Sequence, residues 1–190
     1  MRYAPLLVAM MLAGLVAWPF VRNLTDTETQ GMPGAKIGGH FSLESVSGPL
    51  DTKTLDSDLM MVFFGYTYCP DVCPVELAKA AQVMQSLGED ANRISVVFVT
   101  VDPRRDTAEA ADAYAKAFDP RFIGLSGDDA RIRDVMRQYQ VYAQKVGDGT
   151  DYTVDHTART YVIDRDAKLM ALFAMDTQVP AMVEQIRRFL

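Results

Sequence analysis

Three features of this 190-residue sequence predict an α/β fold with a central mixed β-sheet flanked by helices. Two continuous apolar runs, residues 59–65 (LMMVFFG) and 94–101 (ISVVFVTV), read as strands buried on both faces, the habit of parallel strands covered by helices. Stretches with apolar residues at i, i+3, i+4 and i+7 alternate with these runs, as crossover helices do. Residues 159–164 and 169–174 flank a tight charged turn and add an antiparallel hairpin near the C-terminus.

Taken in order, residues 41–43 and 49–55 form a short hairpin turned around Ser47-Gly48, and the first buried strand follows. Pro74 opens a helix carrying Leu77, Ala80, Ala81, Met84 and Leu87 on one face. After the second buried strand, Asp106 with Glu109 resembles a capping box for a helix bearing Ala111, Tyr114, Ala115 and Phe118. A short strand at 122–125 comes next, then a helix marked by Ile132, Val135, Met136 and Tyr139. The charged turn at 164–168 carries no glycine. Met182, Val183, Ile186 and Phe189 mark a closing helix whose negative end suits Arg187 and Arg188. A βαβ half, a further helix and a ββα half make a thioredoxin-like order.

The segment ahead of this domain has a different character. Residues 4–21 hold no charge, between Arg2 and Arg22, and roughly 18 residues at the helical rise span about 27 Å, enough for a bilayer core. Trp18 and Phe20 stand where an interfacial anchor would. A cleaved signal peptide is the competing reading, but Leu15-Val16-Ala17 and Met11-Leu12-Ala13 both put a large residue at −3. The expectation is an uncleaved transmembrane anchor over residues 1–22 and a polar linker over 23–36. A domain over 37–190 then faces the periplasmic side of the cytoplasmic (inner) membrane.

Composition excludes several functions. With 19 basic and 25 acidic residues the net charge is −6, which opposes nucleic acid as a partner because phosphate contacts need a basic footprint. The chain is long enough to bury a core without cross-links, and it has only two cysteines and two histidines. The 11 methionines suggest thioether ligands, but Met60, Met61, Met84 and Met136 fall on expected core faces.

Both cysteines lie in residues 63–74 (FFGYTYCPDVCP), between a buried strand and a helix start, where α/β folds place their sites. With Pro74 as the first helical residue, Cys73 stands near the N-cap, where free amides and the helix dipole favour thiolate. Three readings compete: a passive disulfide or buried thiols, a dithiol oxidoreductase, and a metal site. Cysteines at i and i+4 around a helix start have Cα atoms about 6 Å apart, within reach of a disulfide. His156 sits just before the strand at 159–164, whose entry loop lies against the cysteine loop in a thioredoxin-like sheet. It is therefore placed to join the two sulfurs, unless it is an ordinary surface histidine. Two thiolates and one imidazole form a soft, low-coordinate set that suits Cu(I) better than Ca²⁺ or Mg²⁺, and zinc would want a fourth ligand. His40 has no evident partner and reads as a surface residue.

Three motifs then carry a resemblance: residues 63–74, residues 99–107 (VTVDPRRDT), and residues 152–157 (YTVDHT) with 161–164 (YVID). The chain resembles the Sco/SenC family of membrane-anchored copper chaperones for cytochrome oxidase assembly, over about residues 37–190. The resemblance implies Cys69, Cys73 and His156 as copper ligands. It makes Asp155 a neighbouring acid that orients His156 or extends the coordination of Cu(II), against the alternative of a solvated loop acid. Asp102 stands behind the site or merely initiates an Asp-Pro turn. The implied cargo is Cu(I), with Cu(II) as a further state, and the implied acceptor is the binuclear copper centre of a cytochrome c oxidase subunit. A copper donor and a thiol reductant are further expected partners, the latter because a Cys69–Cys73 disulfide cannot donate thiolates.

The rival function is a thiol–disulfide reductase that keeps the acceptor's cysteines reduced. Three residues between the cysteines, and no tryptophan before the first, speak against it. A peroxidase would need a threonine one position further from Cys69 than Thr67. A copper-responsive signalling module would use the same ligands.

Overall fold

Burial on both faces of one strand organises the chain. The computed structural model describes residues 36–190. The expected anchor (1–22) and all but the last residue of the expected linker (23–36) lie outside the described residues. No helix among the described residues is long and apolar enough to cross a membrane.

The chain opens with a hairpin, β1 (Ser42–Ser45) and β2 (Gly48–Asp51), then enters β3 (Leu59–Gly65), every residue of which is buried. Helix α1 (Val72–Leu87) crosses back to β4 (Ile94–Thr100), and α2 (Ala108–Lys116) leads to the short β5 (Ile123–Leu125). After α3 (Asp129–Gln138), a second hairpin, β6 (Ala143–Val146) and β7 (Thr153–His156), precedes β8 (Arg159–Asp164) and β9 (Leu169–Ala174). Helix α4 (Val179–Arg187) closes the chain.

The five-stranded sheet runs β5-β4-β3-β8-β9, with β3, β4 and β5 parallel and β8 and β9 antiparallel to their neighbours. The parallel steps need crossovers, which α1 and α2 supply; the antiparallel step from β8 to β9 needs only a turn. Side-chain alternation splits β3 between two cores. Leu59, Met61 and Phe63 pack with α1, α2 and α4, whereas Met60, Val62 and Phe64 pack with α3 and the first hairpin. Helix α2 presses so closely on β5 that a Cβ at Gly124 would stand 2.1 Å from the Ala111 carbonyl group, which only glycine permits. Met60, Met61 and Met84 are buried as core fillers.

Three local expectations are corrected. Helix α1 begins two residues before Pro74, with Asp71 as N-cap, so Cys73 is its second residue. The cap of α2 is Thr107, whose side chain accepts from the Ala110 amide, and Asp106 lies fully buried instead of capping. The hairpin β6–β7 has no counterpart in the expected element order, and it makes His156 the last residue of a strand rather than part of a loop. In the glycine-free turn after β8, Ala167 adopts φ +64°, a left-handed conformation that costs an alanine about 1 kcal/mol.

Candidate metal centre

The site lies at the rim where β3 ends. Because β8 runs antiparallel to β3, with Phe63 opposite Thr160, its entry falls at the same rim as the exit of β3. The chain leaving β3 delivers Cys69 and Cys73, and the chain entering β8 delivers His156. The donor atoms of Cys69, Cys73 and His156 all lie within 4.8 Å of one another, the one such group of histidine, cysteine and acidic residues among the described residues.

The two sulfurs have different surroundings. Cys73 is fully buried, packed in the core under α1, while Cys69 is half-buried between both cores. Gly65 makes room for Cys73: a Cβ there would stand 2.6 Å from Cys73 Sγ, 3.0 Å from Phe98 and 3.1 Å from Phe63. Burial, the largest cause, pushes the Cys73 thiol well above its ordinary value. The helix terminus therefore acts on the other cysteine. Asp71 makes no side-chain cap, and the Cys73 amide donates instead to Cys69 Sγ at 3.4 Å. A first-turn amide with no other partner and the positive end of the dipole thus meet Cys69 rather than Cys73.

His156 faces Cys73 Sγ with Nε2 at 3.4 Å, and its Nδ1 lies 3.2 Å from the Thr157 carbonyl oxygen. A carbonyl only accepts, so it holds the proton on Nδ1 and leaves the Nε2 lone pair toward the sulfurs. Edge-on contacts with Phe63 and Tyr66, at ring separations of 6.2 and 5.9 Å, fix the imidazole plane. Burial draws its pKa below the ordinary 6.5 and so favours the neutral, metal-binding form.

Asp155 is exposed beside His156 and lines the open cleft with Cys69, Pro70, Asp71 and His156. The hydrogen bond that orients His156 is the one its Nδ1–H donates to the Thr157 carbonyl, not one to Asp155. Asp102 is buried one layer away, where it accepts from Arg105 Nε at 2.5 Å and from the Tyr152 hydroxyl at 2.7 Å. Arg105 also donates to the Tyr152 carbonyl at 2.9 Å, and its guanidinium lies 3.6 Å over the Tyr152 ring and 4.9 Å from that of Tyr68. This cluster fastens the hairpin that carries His156 to the loop that carries Cys69. Arg105 and Tyr152 lie inside the quoted motifs, but their pairing across the fold had no signal in the linear sequence. His40 stands elsewhere, half-buried, with Nε2 3.1 Å from the Arg165 carbonyl oxygen.

Two sulfurs and one imidazole nitrogen, with no carboxylate in the cluster, suit a soft monovalent ion in low coordination. A thioredoxin-like domain with a dithiol–imidazole centre at the strand ends is the class that the fold and site define. The SCO1/SenC family model matches residues 29–190. A SCO2-like protein of Rickettsia conorii is 39% identical over 156 residues, covering 80% of this chain and 76% of that protein. Among solved structures, Bradyrhizobium japonicum ScoI with copper bound is 40% identical, with a TM-score of 0.73, covering 81% of this chain and 99% of that one. Yeast Sco1 with copper bound is 28% identical with a TM-score of 0.72, covering 80% of this chain and 87% of that one. The chain belongs to the SCO1/SenC family.

Proposed function

We propose that this chain is a membrane-anchored copper carrier that holds Cu(I) through Cys69, Cys73 and His156 and delivers it to the binuclear copper centre of a cytochrome c oxidase subunit. The observation that carries the reading is the convergence of three soft donor atoms within 4.8 Å, with the imidazole held as a neutral donor by Thr157. The copper in the B. japonicum and yeast structures supports the same cargo.

The unequal burial of the sulfurs suggests an order of exchange. Cys69 is reachable from the cleft and Cys73 is not, so an acceptor thiolate displaces Cys69 first and Cys73 last. Oxidation of Cys69 and Cys73 to a disulfide, with two electrons passing to an oxidant and two protons released, removes both thiolates, so loading requires a reductant. Residues 1–22 anchor the carrier in the cytoplasmic membrane, and residues 23–36 tether a domain that works on the periplasmic side. Asp155, beside the imidazole, is available to Cu(II), and Asp102 supports His156 at one remove through Tyr152.

The rival reading is a reductase of the acceptor's thiols. The half-exposed Cys69, with an amide at its sulfur, favours it as the attacking group. Anaerobic Cu(I) titration of the reduced full-length chain against a competing chelator separates the two. The carrier reading expects one tightly held Cu(I) per chain, lost in Cys69→Ser and at least tenfold weaker in His156→Ala. Weak binding indifferent to His156, with fast reduction of a model disulfide, would establish the reductase.

A further inference from the structure

Asp106 is a buried acid that the ligand set leaves unused. It is fully inaccessible, and none of its hydrogen bonds comes from a lysine or arginine among the described residues. We propose that Asp106 is the positioning residue of the metal centre, its carboxylate clamping the cysteine loop to the end of β4 and so setting where Cys69 Sγ stands relative to Cys73.

Each bond bears on this role. Oδ2 accepts from the Thr67 amide at 2.9 Å and from the Thr100 hydroxyl at 2.7 Å, and Oδ1 accepts from the Thr67 hydroxyl at 2.5 Å. The Thr100 oxygen accepts from the Asp102 amide at 3.0 Å, which commits its proton to Asp106. The Asp106 carbonyl accepts from the Ser126 hydroxyl at 2.6 Å, and its amide donates to the Asp102 carbonyl at 3.0 Å. One residue thus joins the loop after β3, the last residue of β4 and the residue following β5.

Thr67, held through both backbone and side chain, is two residues before Cys69, and α1 starts three residues after it. The segment carrying the half-buried sulfur is therefore short and fixed at both ends. Fixing it maintains the effective concentration of one sulfur at the other, which governs both disulfide closure and metal chelation. A planar group with two acceptor oxygens and no proton takes one N–H and two O–H donors together. An asparagine matches this only if the Thr67 hydroxyl turns to accept from its amide, and a shorter side chain cannot match it at all.

The proposal deepens the copper reading and rests on it for its purpose, but its main readout needs no metal. The full-length chain, as wild type, Asp106→Ala, Asp106→Asn and Thr67→Val, is equilibrated with oxidised and reduced dithiothreitol. In this exchange the two thiols give two electrons and two protons to the oxidised reagent. Asp106→Ala is expected to shift the equilibrium at least tenfold toward the dithiol, equivalent to about 30 mV. Thr67→Val should shift it about threefold to fivefold in the same direction, with Cu(I) affinity falling in parallel. Asp106→Asn should return to within about twofold of wild type.

A clamp with a merely structural role would lower the melting temperature of folded Asp106→Ala and Thr67→Val while leaving both equilibria within twofold of wild type, and that result overturns the proposal. An Asp106→Asn as impaired as Asp106→Ala would also overturn it. Where Asp106→Ala does not fold, Thr67→Val decides alone. A wild type that closes its disulfide but binds no Cu(I) removes the copper reading and still measures the clamp.

Discussion

Gly65 is the residue whose side chain has to be absent for Cys73 to occupy its place. Any Cβ there contends at once with Cys73, Phe98 and Phe63, all held in the core. Gly65→Ala is expected to lower stability by about 1–3 kcal/mol in urea unfolding, as overpacked cores do, and to weaken Cu(I) binding by displacing the buried sulfur. Binding unchanged from wild type would show that the sulfur has room to spare. Cys69, Cys73 and His156 were legible in the sequence because a cysteine pair at a strand–helix junction is specific, and because topology carries the histidine to it. The division of labour between the sulfurs was not legible. It depends on where α1 starts, and Pro74, acceptable anywhere in a first turn, gave a false mark two residues late.

Among the elements, β6–β7 has the most bearing on the site and left the weakest trace in the sequence. Three of the four β6 residues are exposed, so no alternation of apolar and polar residues announces the strand. Its pairing with β7 depends on backbone bonds, and its attachment to the rest joins the core contacts of Val154 and Ala143 to the cluster of Arg105, Asp102 and Tyr152. Tyr152→Phe removes the hydroxyl that reaches Asp102 while leaving the ring under Arg105. Amide hydrogen exchange in β7 should then quicken several-fold, with a few-fold loss of Cu(I) affinity and little change in the exchange of β3 and β4. Uniform acceleration across all strands would mean that the hydroxyl stabilises the whole domain rather than this hairpin.

At the scale of the molecule the fold was largely readable, because β3 is apolar along its whole length and β4 through its centre, and such strands lie inside a covered sheet. The long-range ties were not readable, since a carboxylate such as Asp106 looks the same in sequence whether it caps a helix or is buried beneath a loop. Global stability also carries a signature of the site. Burial lowers the folded pKa of His156 below 6.5, so as pH falls past that value the unfolded chain takes up a proton first. The stabilisation is complete above about pH 6.5 and is lost as pH falls through the interval down to the folded pKa. Urea unfolding from about pH 7 to about pH 5 should therefore cost the wild type more than His156→Gln. Equal slopes would mean that the imidazole protonates as freely folded as unfolded. Cys73 and His156 are 83 residues apart in sequence and meet only because β8 runs back alongside β3. Cargo held between them is a latch across the sheet: at a hundred times its dissociation constant, copper would add about 2.7 kcal/mol to the folded state. In the proposed carrier, copper handed to an acceptor takes this latch with it, so release would leave the domain less firmly shut than loading had made it.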